Sequence, residues 1–230
     1  MSALSNSDQS PKAATDVADR PPSRRVAGQD PVKRQQILDG ANRVFMQVGF
    51  DAASMNDITR EAGVSKGTLY VYFRNKEDLF AAIIQRQKSK IFEKLREILE
   101  EDRPLAEVLH DFGTAFTTHL LSETAIRGQR IVIGVIDRMP ELASTFFQTG
   151  TNTGPVMLCN FLEKQVARGR LKPIEDPMMI SRQFGDLCMA GLYRPRLFGE
   201  MREPPSAERI EKNVASAVRL FLGGYGAGGA

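Results

Sequence analysis

The sequence predicts an all-α protein, a three-helix domain containing a helix-turn-helix joined to a larger helical domain. Three observations carry this. Ser54 to Phe80 (SMNDITREAGVSKGTLYVYFRNKEDLF) holds three helix starts in 27 residues. Apolar residues elsewhere recur at spacings of three and four, the helical period. No strand-like alternation of useful length appears anywhere in the chain.

Residues 1–29 are rich in Ser, Ala, Asp, Pro and Gly and lack hydrophobic periodicity, so they read as a disordered arm. Arg24 and Arg25 close it. They could reach a neighbouring minor groove, although a solvated linker is the preferred reading. The first helix opens at Asp30-Pro31, with proline suited to the first helical position. Ile37, Leu38, Ala41, Val44, Phe45 and Val48 form its apolar face, and Gly49 ends it.

The next three starts share one chemistry. Ser54 precedes Asp57 by three, Ser65 leads Lys66-Gly67-Thr68, and Asn75 precedes Asp78 by three. Ser or Asn at an N-cap satisfies backbone N–H groups that are otherwise orphaned, and an acid three residues on completes the box. Ala62-Gly63 ends the first of these short helices because glycine allows the left-handed turn. The next begins two residues later, which makes a helix-turn-helix whose second helix can enter the major groove. Met55, Ile58 and Ala62, then Val64, Leu69 and Phe73, are its expected core.

The solvent side of this unit suits an anion. Tyr70 and Tyr72 lie two apart while Leu69 and Phe73 form the buried stripe, so at least one phenol faces outward beside Lys66, Thr68 and Arg74. Lys76 stands in the first turn of the following helix, where the macrodipole disfavours a cation. It reads either as a solvated lysine or as a phosphate clamp, and its basic neighbours favour the clamp. Gly67 is costly in a helix; close approach of backbone to DNA is favoured over a poorly optimised first turn. Ser54, Ser65, Lys66, Gly67, Thr68, Tyr70, Tyr72 and Lys76 are the expected DNA contacts. Residues 24–90 hold 12 Lys or Arg against 7 Asp or Glu, whereas the whole chain is only +3. The positive charge thus coincides with the helix-turn-helix.

These residues resemble the TetR family of bacterial transcriptional regulators, whose pattern runs close to T-L-Y-x-Y-F-x-x-K-E-x-L. The preceding run from Ile37 and Leu38 through Gly49-Phe50, with Ser54, Ile58 and AGVS, fits as well. The similarity covers roughly residues 33 to 84. Further on, RLKPIEDPMMISRQF resembles an AefR-like C-terminal domain. The resemblance implies a three-helix DNA-binding domain over 30–77 and a helical effector-binding and dimerisation domain over 78–222. A flexible tail is expected over 223–230.

The helix from Lys76 should run to about Glu100, roughly 37 Å, with apolar ends and a polar middle, QRQKSK. It reads as a rod crossing from one core into another. Further helices are expected over Leu105 to Leu121, Ser122 to near Arg138, Pro140 to about Gly150, Pro155 to Ala167, Asp176 to about Phe198, and Ser206 to Leu222. A helix-turn-helix monomer contacts few bases, and two-fold dimers on palindromic sites are the usual solution. The helices over 176–198 and 206–222 are the expected homodimer interface.

No catalytic set is visible. HExxH, Walker, G-x-S-x-G and CxxC motifs are absent, and His110 and His119, nine apart, do not form a metal pair. An enzyme is not expected, nor a cofactor or metal. Cys159 and Cys188 sit among apolar neighbours and read as small buried hydrophobes. No apolar run approaches the roughly 18 residues of a membrane span, and the N-terminus lacks the apolar core of a signal peptide, which favours the cytoplasm. Phe112, Phe116 and His119, with Phe146 and Phe147 on another helix, are usually core at such spacing. The alternative is an effector pocket, which the resemblance implies without placing it.

The expected function is a dimeric repressor that binds a double-stranded palindromic operator and is released by a small molecule. The alternative is a constitutive or partner-controlled DNA-binding protein on the same fold. Operator affinity retained across a broad effector screen would favour the alternative.

Overall fold

A computed structural model describes residues 28–141, 144 and 153–228. The expected arm, with Arg24 and Arg25, lies almost wholly outside these residues, as do Phe146 and Phe147. Ten helices are described: α1 (Pro31–Ala52), α2 (Met55–Ala62), α3 (Lys66–Tyr72), α4 (Lys76–Glu100), α5 (Leu105–Leu120), α6 (Glu123–Val135), α7 (Gly154–Ala167), α8 (Pro177–Cys188), α9 (Tyr193–Phe198) and α10 (Ala207–Tyr225). The all-α expectation holds. No described helix is long and apolar enough to cross a membrane.

Local chemistry accounts for most helix ends. Asp30 caps α1 by accepting from the N–H groups of Val32 and Lys33. Gly49, at φ 81° and ψ 172°, breaks α1, and a short turn continues to Ala52. Ser54 and Asp57 form a reciprocal capping box on α2, and Gly63 closes it in the left-handed region at φ 63°. Ser65, Asn75, Ser122, Asp176 and Ser206 cap α3, α4, α6, α8 and α10 through their side chains.

Two hydrophobic cores result. The first gathers Ile37, Leu38 and Phe45 of α1, Ile58 of α2, Leu69 of α3, and Leu79, Phe80 and Ile83 of α4. Phe45, Phe50 and Phe80 meet at centroid distances of 5.4 to 5.8 Å. The second gathers Leu95 and Ile98 of α4 with residues of α5, α7, α8 and α10, among them Phe112, Leu162, Phe184, Val214 and Phe221. The rod α4 therefore has one end in each core. Its companion was not foreseen: Val132 and Val135 place the end of α6 in the first core as well.

Two expectations are corrected. The helix expected over Asp176 to Phe198 is two helices. Gly191 adopts φ 70° between them, and Asn213 of α10 donates to the carbonyls of Cys188 and Ala190 (3.4 and 2.7 Å), capping the end of α8 from outside. The tail expected as flexible from residue 223 is held through residue 227. α10 continues to Tyr225, the Lys172 N–H donates to the Tyr225 carbonyl (2.8 Å), and Gly226 bridges Leu171. The partner that orders these glycines comes from a segment some fifty residues away in the chain, so no local signal announces it.

Candidate nucleic-acid interface and effector cavity

The second helix of the helix-turn-helix, α3, is seven residues long and buries Leu69. Its opposite side is open: Ser65, Lys66 and Gly67 are exposed, as are Tyr70 and Val71 at 45% and 52%. The Ser65 hydroxyl accepts from the Thr68 N–H (3.1 Å) and lies 2.8 Å from the Thr68 hydroxyl, so both are pre-positioned on the first turn. A Cβ on Gly67 would meet only the Ser65 hydroxyl, at 3.9 Å. Nothing inside the fold demands glycine there.

Ser54 is occupied at the mouth of α2, its hydroxyl bonded to Asp57 at 2.5 Å and also accepting the Asp57 N–H. That hydroxyl, followed by the Ser54 N–H and Arg60, holds the Asp57 carboxyl below the ordinary carboxylate range. Of the two tyrosines it is Tyr70 that faces outward. Tyr72 is half-buried, and its hydroxyl accepts from the Asp30 N–H (3.2 Å), tethering the start of α1.

Lys76 departs from the clamp expectation. Its ammonium donates inward to the carbonyls of Phe50, Asp51 and Ala53 at 2.9, 3.1 and 3.4 Å. It also lies 4.7 Å from the centre of the Phe50 ring, a cation–π contact. The cation thus satisfies carbonyls at the end of α1, and its position against the α4 dipole is offset there. Lys76→Met is expected to lower unfolding stability by about 1–3 kcal/mol, the range for losing charge-assisted bonds. The salt dependence of DNA binding should stay unchanged. A slope shallower by about 1, measured by titrating DNA at several salt concentrations, would mean that a phosphate contact had been lost instead.

The second site is a half-open cavity of about 540 Å³ lined by α4, α5, α6, the start of α7 and α8. One face of α4 lines it at helical spacing through Ile84, Lys88, Ile91, Phe92 and Leu95. Of the aromatic and histidine residues singled out in the sequence, Phe116 and His119 of α5 line it and Phe112 does not. Phe112 is 1% exposed in the second core, stacked on Phe116 at 5.8 Å. Burial, and then the nearby Lys88 charge, push His119 below the ordinary histidine value. Burial likewise lowers Lys88. The Tyr193 hydroxyl donates to the Gln129 side-chain oxygen at 2.5 Å. Burial, and then Asp186, push this phenol above its usual value.

Sequence reasoning missed Lys88, Arg182, Asp186 and Tyr193. Lys88 was legible in part, since Ile84, Lys88, Ile91 and Leu95 share one helical face. The polar run around it reads as solvated until α5 and α8 close over it. Cys188, by contrast, is the buried hydrophobe expected, its thiol pushed up to about 12 by burial.

Residues 37–83 match the description "Bacterial regulatory proteins, tetR family", and residues 107–227 match "AefR-like transcriptional repressor, C-terminal domain". The chain belongs to the TetR family. This TetR-family regulator is 25% identical to the transcriptional repressor ComR of Escherichia coli K12 across 82% of its own chain and 88% of ComR. Among solved structures, the flavonoid-responsive regulator FrrA is 30% identical, with a TM-score of 0.66 over 86% of this chain and 98% of FrrA. A TetR-family regulator from Pseudomonas syringae pv. tomato is 26% identical, with a TM-score of 0.67 over 86% of this chain and 99% of that one. The family is one of transcriptional regulators, so no catalytic role is assigned to the polar groups of the cavity.

Proposed function

We propose that this TetR-family regulator is a dimeric repressor whose hold on a palindromic operator is released when a small molecule fills the cavity. One observation carries the reading: α4 is a wall of the cavity and also part of the core that positions α3. A ligand that favours one tilt of α4 therefore moves the recognition helix. α6 supplies a parallel link. Ala125 and Gln129 line the cavity, while Val132 and Val135 pack in the first core. Arg127 donates to the Met46 carbonyl of α1 (2.5 Å) and Arg138 pairs with Asp51 (3.0 Å). The coupling cannot exceed the ligand's differential affinity for the two states, typically about 1–3 kcal/mol. FrrA, responsive to a flavonoid, is a relative in which a small molecule is read.

In this reading Ser65, Lys66, Gly67, Thr68 and Tyr70 meet DNA. Lys66 and Thr68 reach base edges from the first turn of α3, and Tyr70 contacts phosphate. Ser54, Tyr72 and Lys76 hold the unit in shape. The dimer forms through α8 and α10, whose surfaces present Met179, Leu187 and Leu220 at 47%, 39% and 62% exposure. Such apolar exposure on adjacent helices supports a second copy as their cover.

The test is selection of genomic fragments on the purified regulator, followed by footprinting. Inverted repeats with half-site centres about one helical turn apart, bound by two chains, are expected. Lys66→Ala should relax preference at particular operator positions by about 1–3 kcal/mol. A uniform loss on all sequences would make Lys66 a phosphate contact, and failure to enrich any fragment would overturn the operator reading.

A further inference from the structure

We propose that the cavity takes an amphipathic organic anion, an apolar body bearing a single carboxylate or phenolate that docks beside Lys88 and His119. The binding stands on the cavity alone, while its regulatory consequence rests on the effector reading above.

The walls divide by chemistry. Ile91, Phe92 and Leu95 of α4, Phe116 of α5 and Met178 of α8 offer an apolar surface. Lys88 lies one turn before Phe92 on the same face of α4. It is close enough to His119, in the last turn of α5, to act on its charge. Gln129 joins this end, its amide donating to the Leu120 carbonyl (3.4 Å) and its oxygen accepting from Tyr193. The polar groups therefore gather where α5 turns into α6, and the apolar groups extend along α4 beyond them.

Charge selects the sign of the ligand. Among the described lining residues the cations are Lys88 and Arg182, and the acid is Asp186. Asp186 belongs to the α8 wall, with Arg182 one turn away, so the α4–α5 side is the electropositive one. Lys88 and His119 each sit where burial disfavours their charged forms. An anion between them stabilises the ammonium and draws a proton onto the imidazole. A cationic ligand meets Lys88 and Arg182 as like charges, and a neutral one can accept their hydrogen bonds without the charge–charge attraction.

Proton uptake gives the inference a second signature. The charged or titratable groups that line the cavity with His119 are Lys88 on α4, Arg182 and Asp186 on α8, and Tyr193 on α9; among the described residues α6 and α7 contribute none to the lining. Of these, histidine alone has its ordinary value near neutrality, and the empty cavity holds His119 below it. Anion affinity should therefore rise as pH falls through the value that the bound anion confers on the imidazole, and level off only below the lowered value of the empty cavity.

The experiment is calorimetric titration of the full chain, without DNA, with dodecanoate, dodecanol and dodecylammonium. Dodecanoate is expected to bind at least ten-fold more tightly than dodecanol, and dodecylammonium most weakly. Lys88→Met should bring dodecanoate to the level of dodecanol and leave dodecanol unchanged. Dodecanoate affinity should rise several-fold from pH 8 to pH 6 in the natural protein and not in His119→Gln. Far-UV circular dichroism establishes that both variants are folded, and Arg182→Gln, on the opposite wall, should retain the preference for dodecanoate. Equal affinity for the three head groups, or indifference to Lys88→Met, would overturn the anion assignment. If the affinities proved equal, loss of dodecanol binding on Ile91→Trp would show that the cavity stands although the charge assignment has fallen. No binding of any probe would remove the cavity as a ligand site and the effector reading with it. Dodecanoate binding that leaves operator affinity unchanged would support the anion site and overturn the effector reading alone.

Discussion

Arg196→Ala should destabilise the protein by about 3–5 kcal/mol, the scale of emptying a large buried side chain and leaving its acceptors without a donor. Arg196 is 1% exposed, in α9, the stretch expected as the end of one long helix from Asp176. Its guanidinium donates to the carbonyls of Leu121 (3.3 Å), Met201 (3.2 Å) and Arg202 (2.5 Å) and pairs with Glu123. Glu123 is itself half-exposed and can return to water. The loss therefore comes mainly from orphaned carbonyls and from the void left by a large side chain. Arg127 and then Arg196 hold the Glu123 carboxyl below the ordinary carboxylate range, so the pair persists until acidic pH. Its contribution is present above the ordinary carboxylate value and fades as pH falls through the lowered one. Arg196→Lys should recover only part of the loss, since a point charge cannot serve this fork of acceptors. Urea unfolding of the three proteins decides the matter. A loss near that of an exposed ion pair, about 0–1 kcal/mol, would show that the guanidinium is dispensable.

Gly40→Ala is the second large expectation, and its sign is diagnostic. In an exposed helix the change stabilises by about 1 kcal/mol, because glycine is the poorer helix former. Here a Cβ would sit 2.6 Å from the Ala62 Cβ, 2.7 Å from its Cα and 2.8 Å from its nitrogen. The obstacle is backbone, so α1 and α2 must separate. Destabilisation of about 1–3 kcal/mol is expected from overpacking. α3 follows α2 after only Gly63, Val64 and Ser65, so a displaced α2 re-aims the recognition helix. Operator affinity should fall at least ten-fold, about 1.4 kcal/mol, at temperatures where the variant remains folded. Fluorescence anisotropy on an operator fragment, paired with a thermal melt, tests both. Higher stability with unchanged operator affinity would show that the helices yield without cost.

The contrast between Gly67 and Gly40 shows what is legible in a sequence. Both stand inside helices, and local propensity counts both as defects. Only the folded chain distinguishes them: Gly67 has open space where a side chain would go, and Gly40 has none. Lys76 makes the same point for charge. The sequence exposes its unfavourable place in a first turn, whereas its resolution depends on the carbonyls of Phe50, Asp51 and Ala53.

What the amino-acid sequence determined by itself is the set of features decided within four or five residues. The N-caps at Ser54, Ser65 and Asn75, the left-handed turn at Gly63 and the buried stripe of Leu69 and Phe73 involve only near neighbours. So does the uninterrupted α4. Together they place a helix-turn-helix at the end of a rod, and its outward face follows by subtraction. The tertiary structure alone decided the rest. It split the helix expected over 176–198, because its new end is capped by Asn213 from another helix. It docked the glycine-rich tail on residues 170–172, buried Arg196, brought the end of α6 into the first core, and enclosed Lys88 and His119 in one cavity. Each of these depends on side chains that meet only after helices cross, and crossing is set by the summed packing of whole faces rather than by any run of neighbours.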